Sequence, residues 1–185
     1  MHNTPNSEIV RVVRSKLGAV TITPAQTLRE DRLSFPGLLP REVLIIKAWL
    51  QLHAKEYDSF DFNRRIGDGY DPGPGYEDHL RRMAVANTML RLDAVGYKGK
   101  QPTIIEVKDR AGASAVGQLL TYEAVWLHDY PDTPAPKLIL VTNRLQPNII
   151  HVLDKSGVDL NVVQVDFSSL RMPAPYPGYK RGRST

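Results

Sequence analysis

Hydrophobic residues recur along this chain with two periods, which predict helices and strands in a definite order. A helical period marks residues 41–54 and 113–128, and a shorter helix is expected at 148–154. Alternating or continuous runs of apolar and β-branched residues predict strands at 59–66, 89–97, 103–108, 137–142 and 161–167. The order helix, three strands, helix, strand, helix, strand predicts an α/β domain in which helices pack on a mixed sheet.

Each of the two longer helices carries an apolar stripe. Pro40 stands at the start of the first helix, where proline is favoured. The stripe of this helix is predicted to comprise five residues: Glu42, Ile45, Ile46, Trp49 and Leu52. The apolar residues on or near one face of the second helix are Val116, Leu119, Leu120 and Leu127. These stripes indicate which side of each helix is buried.

The remaining segments divide the chain into an N-terminal β extension with a loop (1–40), a core (41–170) and a tail (171–185). Residues 8–22 are rich in β-branched side chains with a break at 16–18, which predicts two short strands or a hairpin. Residues 67–75, with four glycines and two prolines, predict a loop. Residues 76–88 fit either a short helix feeding a strand or a strand throughout.

Composition indicates one globular domain of 185 residues. No apolar run approaches the ~20 residues that span a bilayer, and the N-terminal residues lack the apolar stretch of a signal peptide. The absence of cysteine excludes disulfides and thiolate metal sites, and makes a reducing cytoplasm the default location.

The net charge of +4 is a property of the tail. Residues 171–185 contain no acid and four cations, Arg171, Lys180, Arg181 and Arg183, so the other residues are formally neutral. This tail, which also holds Tyr176 and Tyr179, fits either nucleic-acid binding by charge and stacking or a solubilising end.

Candidate chemistry lies on the two strands at 89–97 and 103–108. Glu106 stands between Ile105 and Val107, where a carboxylate is costly to bury unless a metal or a cation pairs with it. Strand alternation puts Lys108 on the same face as Glu106, about 7 Å away. A glutamate and a lysine so spaced usually form a plain ion pair, but Asp93 on the preceding strand adds a second carboxylate. Two carboxylates and a lysine can hold a divalent metal and steer a water toward a phosphodiester.

The following helix adds two polar-tipped residues, Gln118 and Tyr122, four positions apart on one face. They are expected on a different stripe from Val116, Leu119 and Leu120, facing the open site.

Taken together, Asp93, then Glu106-Val107-Lys108, then Gln118 and Tyr122 resemble the motifs of the PD-(D/E)XK nuclease superfamily. More narrowly, they resemble the branch with a QxxxY motif, which includes RecB-like and lambda-exonuclease-like nucleases. The resemblance covers roughly residues 41–167 and implies the family's restriction-endonuclease-like α-β-β-β-α-β core. Leu92 replaces the proline of the family's name, and residues 67–88 are long for their place between two core strands, as a lid or a substrate-contacting insertion would be.

The resemblance implies a function for each motif residue. Asp93 and Glu106 would ligate Mg²⁺, or Mn²⁺ as a substitute, with help from the carbonyl of Val107. Lys108 would position the nucleophilic water. Such a protein would hydrolyse DNA in repair, recombination, defence or phage DNA processing.

The resemblance also suggests accessory residues. Gln118 and Tyr122 would support the site or contact DNA. Glu42 matches a glutamate on the family's first helix, although the helix dipole alone favours a glutamate there. Asp109 and Arg110 are expected to be solvated, with Arg110 a candidate contact to a phosphate.

Other functions fit the same sequence. A nuclease fold can serve as a structural component of a phage particle or another large complex, joined through the N-terminal extension and the tail; the location would then be the virion. A non-catalytic DNA-binding module is a third class. In each case DNA or a protein assembly is the expected partner, and a membrane is not.

A truncation tests the tail. If the tail contacts DNA, deleting residues 173–185, which removes Lys180, Arg181 and Arg183, should flatten the plot of log affinity against log salt. The expected change is about 0.9 per lost phosphate contact on duplex DNA, or about 0.7 on single strands. An unchanged slope would contradict DNA contact, and a smaller assembly in sedimentation would indicate docking on neighbouring subunits instead.

Overall fold

The computed structural model of the chain describes residues 13–14, 20–22 and 35–167. The helices within these ranges are α1 (Pro40–His53, followed by a 3-10 turn at Ala54–Glu56), α2 (Asp78–Thr88), α3 (Ala113–Asp129) and α4 (Ile150–Ser156). The strands are β1 (Val13–Arg14), β2 (Val20–Ile22), β3 (Ser59–Ile66), β4 (Leu90–Lys98), β5 (Gln101–Ala111), β6 (Lys137–Leu145) and β7 (Val158–Val162).

The described strands form one mixed sheet in the order β1-β2-β3-β4-β5-β6-β7. Neighbours from β1 to β5 are antiparallel, whereas β5, β6 and β7 are parallel. The predicted α/β class and the α-β-β-β-α-β order are therefore confirmed by α1, β3, β4, β5, α3 and β6. The two short N-terminal strands extend the sheet at the outer edge of β3.

Two apolar layers sandwich the sheet. On one side α1 buries Ile45, Ile46 and Trp49 against alternate strand residues such as Phe62 and Val107. On the other side, α3 and α4 pack over the opposite residues of the same strands; this layer includes Ile104, Leu138, Leu140, Leu119 and Leu153. Because β5 and β6 are covered on both faces, their sequences are nearly continuous apolar runs.

The stripe predicted for α1 is wrong at its C-terminal end. Leu52 is 71% exposed, and Leu50 is buried in its place. At about 100° per residue, the buried residues centre between Trp49 and Ile46, and Leu52 lies about 90° from that centre.

The stripe predicted for α3 is wrong in the same way. Leu120 and Leu127 are 40% and 41% exposed. Tyr122 and Trp126 are buried beside Leu119 instead. Both exposed leucines lie about 90° or more from the centre of the buried face.

The last predicted strand is displaced toward the N-terminus. Residues 161–167 were expected to form it, but β7 runs from Val158 to Val162. Gly157 adopts a left-handed conformation (φ 70°) that ends α4, so the chain enters β7 at once. The expected helix at 148–154 accordingly ends later, at Ser156.

The segment between β3 and β4 is a loop followed by a helix. Residues 67–75 contain neither helix nor strand, as predicted, and the ambiguous segment 76–88 is helical as α2. Gly69, at φ +68°, lies so near α2 that a Cβ there would be 2.3 Å from the carbonyl oxygen of Val85. No residue of α2 is buried. Its function as a lid or insertion stays a prediction.

None of the helices in the described ranges is both long and apolar enough to cross a membrane.

Two leucines on α1 test the orientation of this helix. Leu50→Ala should reduce the free energy of unfolding by about 2–5 kcal/mol, because it leaves a cavity under the sheet. Leu52→Ala should change it by less than about 0.5 kcal/mol, because its side chain is exposed. Urea unfolding of both variants measures the difference, and equal losses would contradict the observed orientation.

Candidate active site

The candidate site lies where β4 separates from β5. These strands pair from Lys98 opposite Gln101 to Ala94 opposite Ile105, and the described pairing stops there. One residue further along β4, Asp93 Oδ2 accepts a hydrogen bond of 2.9 Å from the backbone N–H of Val107. We call the point where β4 and β5 stop pairing the β4–β5 fork. The side chain of Asp93 crosses this fork and contacts β5 beside Glu106.

Glu106 is the most constrained residue of the site. It is 1% exposed, on the face of the sheet that α3 covers. Its Oε1 lies 2.5 Å from Lys108 Nζ, an ion pair that lacks the alignment of a hydrogen bond. Neither carboxylate oxygen of Glu106 has a well-directed hydrogen-bond donor among the described residues. A buried carboxylate with this deficit calls for a cation.

Burial and mutual repulsion shift the ionisation of the two carboxyl groups. Burial, followed by the charge of Asp93, raises the pKa of Glu106 to about 8. Burial also raises the pKa of Asp93, although the N–H of Val107 and the charge of Lys108 oppose the shift. The two groups therefore hold a proton near neutral pH, as expected for adjacent buried acids.

The pKa of Lys108 is also raised, but for a lysine this shift favours the charged form. Burial by itself would lower its pKa, but the charges of Glu106 and Asp93 outweigh burial and raise it. Lys108 is consequently a cation at neutral pH, and its side chain is still 29% exposed. The predicted placement of Glu106 and Lys108 on one face of β5 is seen in this ion pair.

The donor set fits a hard divalent cation. Asp93 and Glu106 offer oxygen ligands, and Mg²⁺ is commonly held by one or two carboxylates with waters and phosphate oxygens completing its shell. A third acidic or histidine ligand is not supplied: the described residues contain no group of three or more such side chains placed to hold a metal ion. The site therefore suits a metal ion whose remaining coordination positions are filled by waters or phosphate oxygens. Ligation by the Val107 carbonyl stays a prediction.

Glu42 caps the N-terminus of α1, and its charge also affects the pKa values of the site residues. Its Oε2 accepts a 2.9 Å hydrogen bond from the backbone N–H of Leu39, and the residue is 8% exposed. Its charge nevertheless contributes to the raised pKa values of Asp93 and Lys108. Glu42 thus caps the N-terminus of α1, the end at which the helix dipole favours a glutamate, while an accessory function at the site stays a prediction.

Tyr122 reaches the site from α3, with Gln118 beside it. Tyr122 is 5% exposed, and its hydroxyl accepts a 3.3 Å hydrogen bond from Gln118 Nε2. Burial and then the charges of Glu106 and Asp93 raise the pKa of Tyr122. The expectation of a stripe separate from Leu119 was wrong, because Tyr122 shares that buried layer.

Asp109, expected to be solvated, is instead held between two arginines. Arg41 Nη1 lies 2.9 Å and Arg144 Nη2 lies 3.2 Å from Asp109 Oδ2. Burial opposes the shift, but Arg41, Asn143 and Arg144 together lower the pKa of Asp109. This cluster connects the first turn of α1 to β5 and β6. Arg110 is exposed, as predicted, and pairs in register with Arg144.

The sequence contained one signal for this cluster. A positive side chain in the first turn of a helix opposes the helix dipole, so Arg41 needs an acidic partner. Nothing in the local pattern identified Asp109 as that partner. The tail residues Arg171, Lys180, Arg181 and Arg183 lie outside the described ranges, and their predicted contacts stay predictions.

The raised pKa of Glu106 predicts a pH-dependent stability of the metal-free protein. The folded state favours the protonated acid, so this group's contribution is full below about pH 4.5 and is lost as the pH rises through about 8. The raised pKa of Asp93 acts in the same direction. In EDTA, the free energy of unfolding of the wild type should therefore fall relative to Glu106→Gln across this window.

Urea unfolding at several pH values measures this difference. Glu77→Gln is the matched control, because the Glu77 side chain is 79% exposed. Parallel pH profiles for the wild type and Glu106→Gln would contradict the buried, raised-pKa acid.

Comparisons with known proteins do not assign the chain to a family. No family model matches it, and no curated protein does. Among solved structures it is similar to a repair endonuclease from Pyrococcus abyssi, at 22% identity and a TM-score of 0.35 over 40% of this chain and 33% of that one. It is also similar to the structure of an EndoMS–dsDNA2 complex, at 15% identity and a TM-score of 0.38 over 87% of this chain and 66% of that one. At these values the likeness assigns neither activity nor substrate, and the site has to carry the functional argument.

Proposed function

We propose that this protein is a divalent-metal-dependent nuclease that hydrolyses DNA phosphodiester bonds, with Mg²⁺ as its metal and Mn²⁺ as a substitute. The observation that carries the proposal is the buried pair Asp93 and Glu106 at the β4–β5 fork. Both oxygens of Glu106 lack aligned donors, and the cation Lys108 stands beside them. Repair, recombination, defence and phage DNA processing are the processes that require this reaction.

Asp93 and Glu106 would hold the metal ion. When bound, the ion supplies charge neutralisation at the phosphate and lowers the pKa of a water. Asp93 is oriented for this by the Val107 N–H, which occupies its Oδ2. Glu106 is oriented by Lys108, whose Nζ contacts Oε1.

Lys108 would act as a donor and a positive charge. Its raised pKa keeps it protonated at neutral pH, so it suits orienting a water and stabilising negative charge at the phosphate better than taking a proton. Its side chain is 29% exposed, so the Nζ that pairs with Glu106 can also contact a substrate.

Tyr122 would contribute a neutral hydroxyl. Its raised pKa keeps the phenol protonated, and it accepts a hydrogen bond from Gln118. The hydroxyl proton can then be donated to a nearby carboxylate or phosphate oxygen. Gln118 would support the site or contact DNA with its amide, in addition to holding the Tyr122 hydroxyl.

The cluster next to Lys108 favours a polyanionic substrate. Asp109 is shared by Arg41 and Arg144, and Arg110 is exposed alongside. Three cations against one acid leave a net positive charge, which favours contact with phosphates that flank the cleaved bond. No observation on the described residues favours the alternative of a purely structural component.

Three substitutions test the site. Asp93→Ala, Glu106→Ala and Lys108→Ala should each reduce cleavage by about 100-fold or more while the fold persists, because each removes a ligand or a charge that the reaction needs. Removing one carboxylate should leave the metal-free protein as stable or more stable, since repulsion is relieved. Circular single-stranded and linear duplex DNA, incubated with Mg²⁺, Mn²⁺ or EDTA, measure the activity.

Exposed residues of the same kinds provide the controls. Glu77→Ala and Lys98→Ala alter side chains that are 79% and 64% exposed, and both should cleave like the wild type. Cleavage that continues in EDTA, or wild-type rates in all three site variants, would refute the assignment. Cutting of closed circles would in addition identify endonuclease action.

A second pair of variants tests the contribution of α3. Gln118→Ala should slow cleavage about tenfold, because it removes an amide that supports the site as well as the hydrogen bond to Tyr122. Tyr122→Phe should have a smaller effect, since the buried ring keeps its packing. Thr121→Ala, on the exposed side of α3, should have none. Single-turnover rates at saturating DNA compare the three, and equal rates for all would remove Gln118 and Tyr122 from the site.

A further inference from the structure

On the strand pair β3 and β4, the alternation of side chains between the two faces of the sheet changes phase at one position. The register between β3 and β4 runs without a gap except at Asn63 and Asp93, which it skips. On either side of the gap the paired residues are Phe62 with Ala94, and Arg64 with Leu92. Residues two apart on a regular strand point to the same face of the sheet.

Here they do not. Phe62 and Ala94 belong to the apolar layer beneath α1. Leu92 belongs to the layer beneath α3, and Arg64 lies over the ring of Trp126 on α3, 5.2 Å from its centroid. Both strands therefore exchange their inward and outward faces at the same point, while the register between them stays the same on either side.

Asn63, at the position of this exchange, has a left-handed backbone conformation. Its φ is +54°, in the left-handed region, and Asn148 is the only other non-glycine residue at positive φ among the described residues. Residues other than glycine adopt this conformation at a cost in conformational energy, and asparagine tolerates it better than most. A single left-handed residue inside a strand bends it and redirects the side chains that follow.

The redirected side chain on the facing strand is Asp93. With Leu92 and Ala94 on opposite faces, Asp93 lies at the crossover, and its carboxylate reaches β5 to accept the N–H of Val107. On an unbroken strand the neighbours of Asp93 would share one face, and its side chain would point away from both. The change of phase thus coincides with the residue that has to leave the regular pattern in order to meet Glu106.

We propose that Asn63 is a positioning residue whose left-handed backbone, rather than its side chain, turns Asp93 into the site beside Glu106. The inference deepens the proposed function, on which its significance for cleavage rests. Asn63 itself contacts neither metal nor DNA. It acts only through the path of β3 and the matching change of phase in β4.

Glycine and β-branched substitutions separate backbone from side chain. Asn63→Gly keeps access to positive φ, whereas Asn63→Val does not, and Asn63→Ala is a milder version should valine prevent folding. Asn148→Val is the matched control, because it imposes the same backbone conflict at φ +67° outside the site. The primary measurement needs no metal: the NMR signal and exchange protection of the Val107 amide, with Asp93→Ala defining the signal without the carboxylate.

We expect Asn63→Gly and Asn148→Val to keep the wild-type Val107 signal, and Asn63→Val or Asn63→Ala to move it toward that of Asp93→Ala. Mn²⁺ affinity, measured by calorimetry, should fall about 10- to 100-fold in Asn63→Val and Asn63→Ala and stay unchanged in the other two. The proposal is overturned if Asn63→Gly loses the signal, if Asn63→Ala keeps it, or if Asn148→Val loses it as well. Absence of Mn²⁺ binding or cleavage by the wild type would refute the proposed function, while the Val107 signal would still decide the action of Asn63.

Discussion

The carboxyl group of Glu106 lies almost wholly buried beside that of Asp93, and the free energy of ionising these two groups constrains the architecture around them. Two adjacent acids away from water repel each other, and each loses hydration. Lys108 and the Val107 N–H compensate only part of this loss. In the metal-free protein the remainder appears as raised pKa values. A bound divalent cation would compensate it directly and would release protons as it binds.

The sheet holds these acids in place because β5 has two different neighbours. It pairs antiparallel with β4 and parallel with β6. The pairing with β4 ends at Ala94 and Ile105, whereas the pairing with β6 continues to Ala111. Beyond the fork, β5 has no partner strand on the β4 side in the described pairing. Its two faces still lie under α1 and α3. The Arg41–Asp109–Arg144 cluster fastens the start of α1 at this end, which keeps Glu42 near Asp93.

Much of the site followed from chemistry visible in the sequence. Glu106 in an apolar strand required a cation, and the spacing to Lys108 required a shared face. Asp93 was identifiable as a second acid on the neighbouring strand. Asp109 was misjudged because its partners come from residues 68 positions earlier and 35 positions later, and no local period connects them. The phase change at Asn63 and Asp93 was likewise invisible, since the alternation on either side of it looks regular.

By itself the sequence determined the type and order of the elements, because helical and strand periods are local properties of ten or so residues. It also determined which residues could do the chemistry, since an acid between two β-branched residues is costly in any fold that buries it. Only the tertiary structure decided which edge of each helix was covered, leaving Leu52 and Leu120 exposed and burying Leu50 and Tyr122. It also decided that Asp93 leaves its strand's pattern to meet Glu106. These outcomes depend on the docking angle of each helix and on a backbone dihedral at Asn63 on another strand, neither of which the period of a single segment contains.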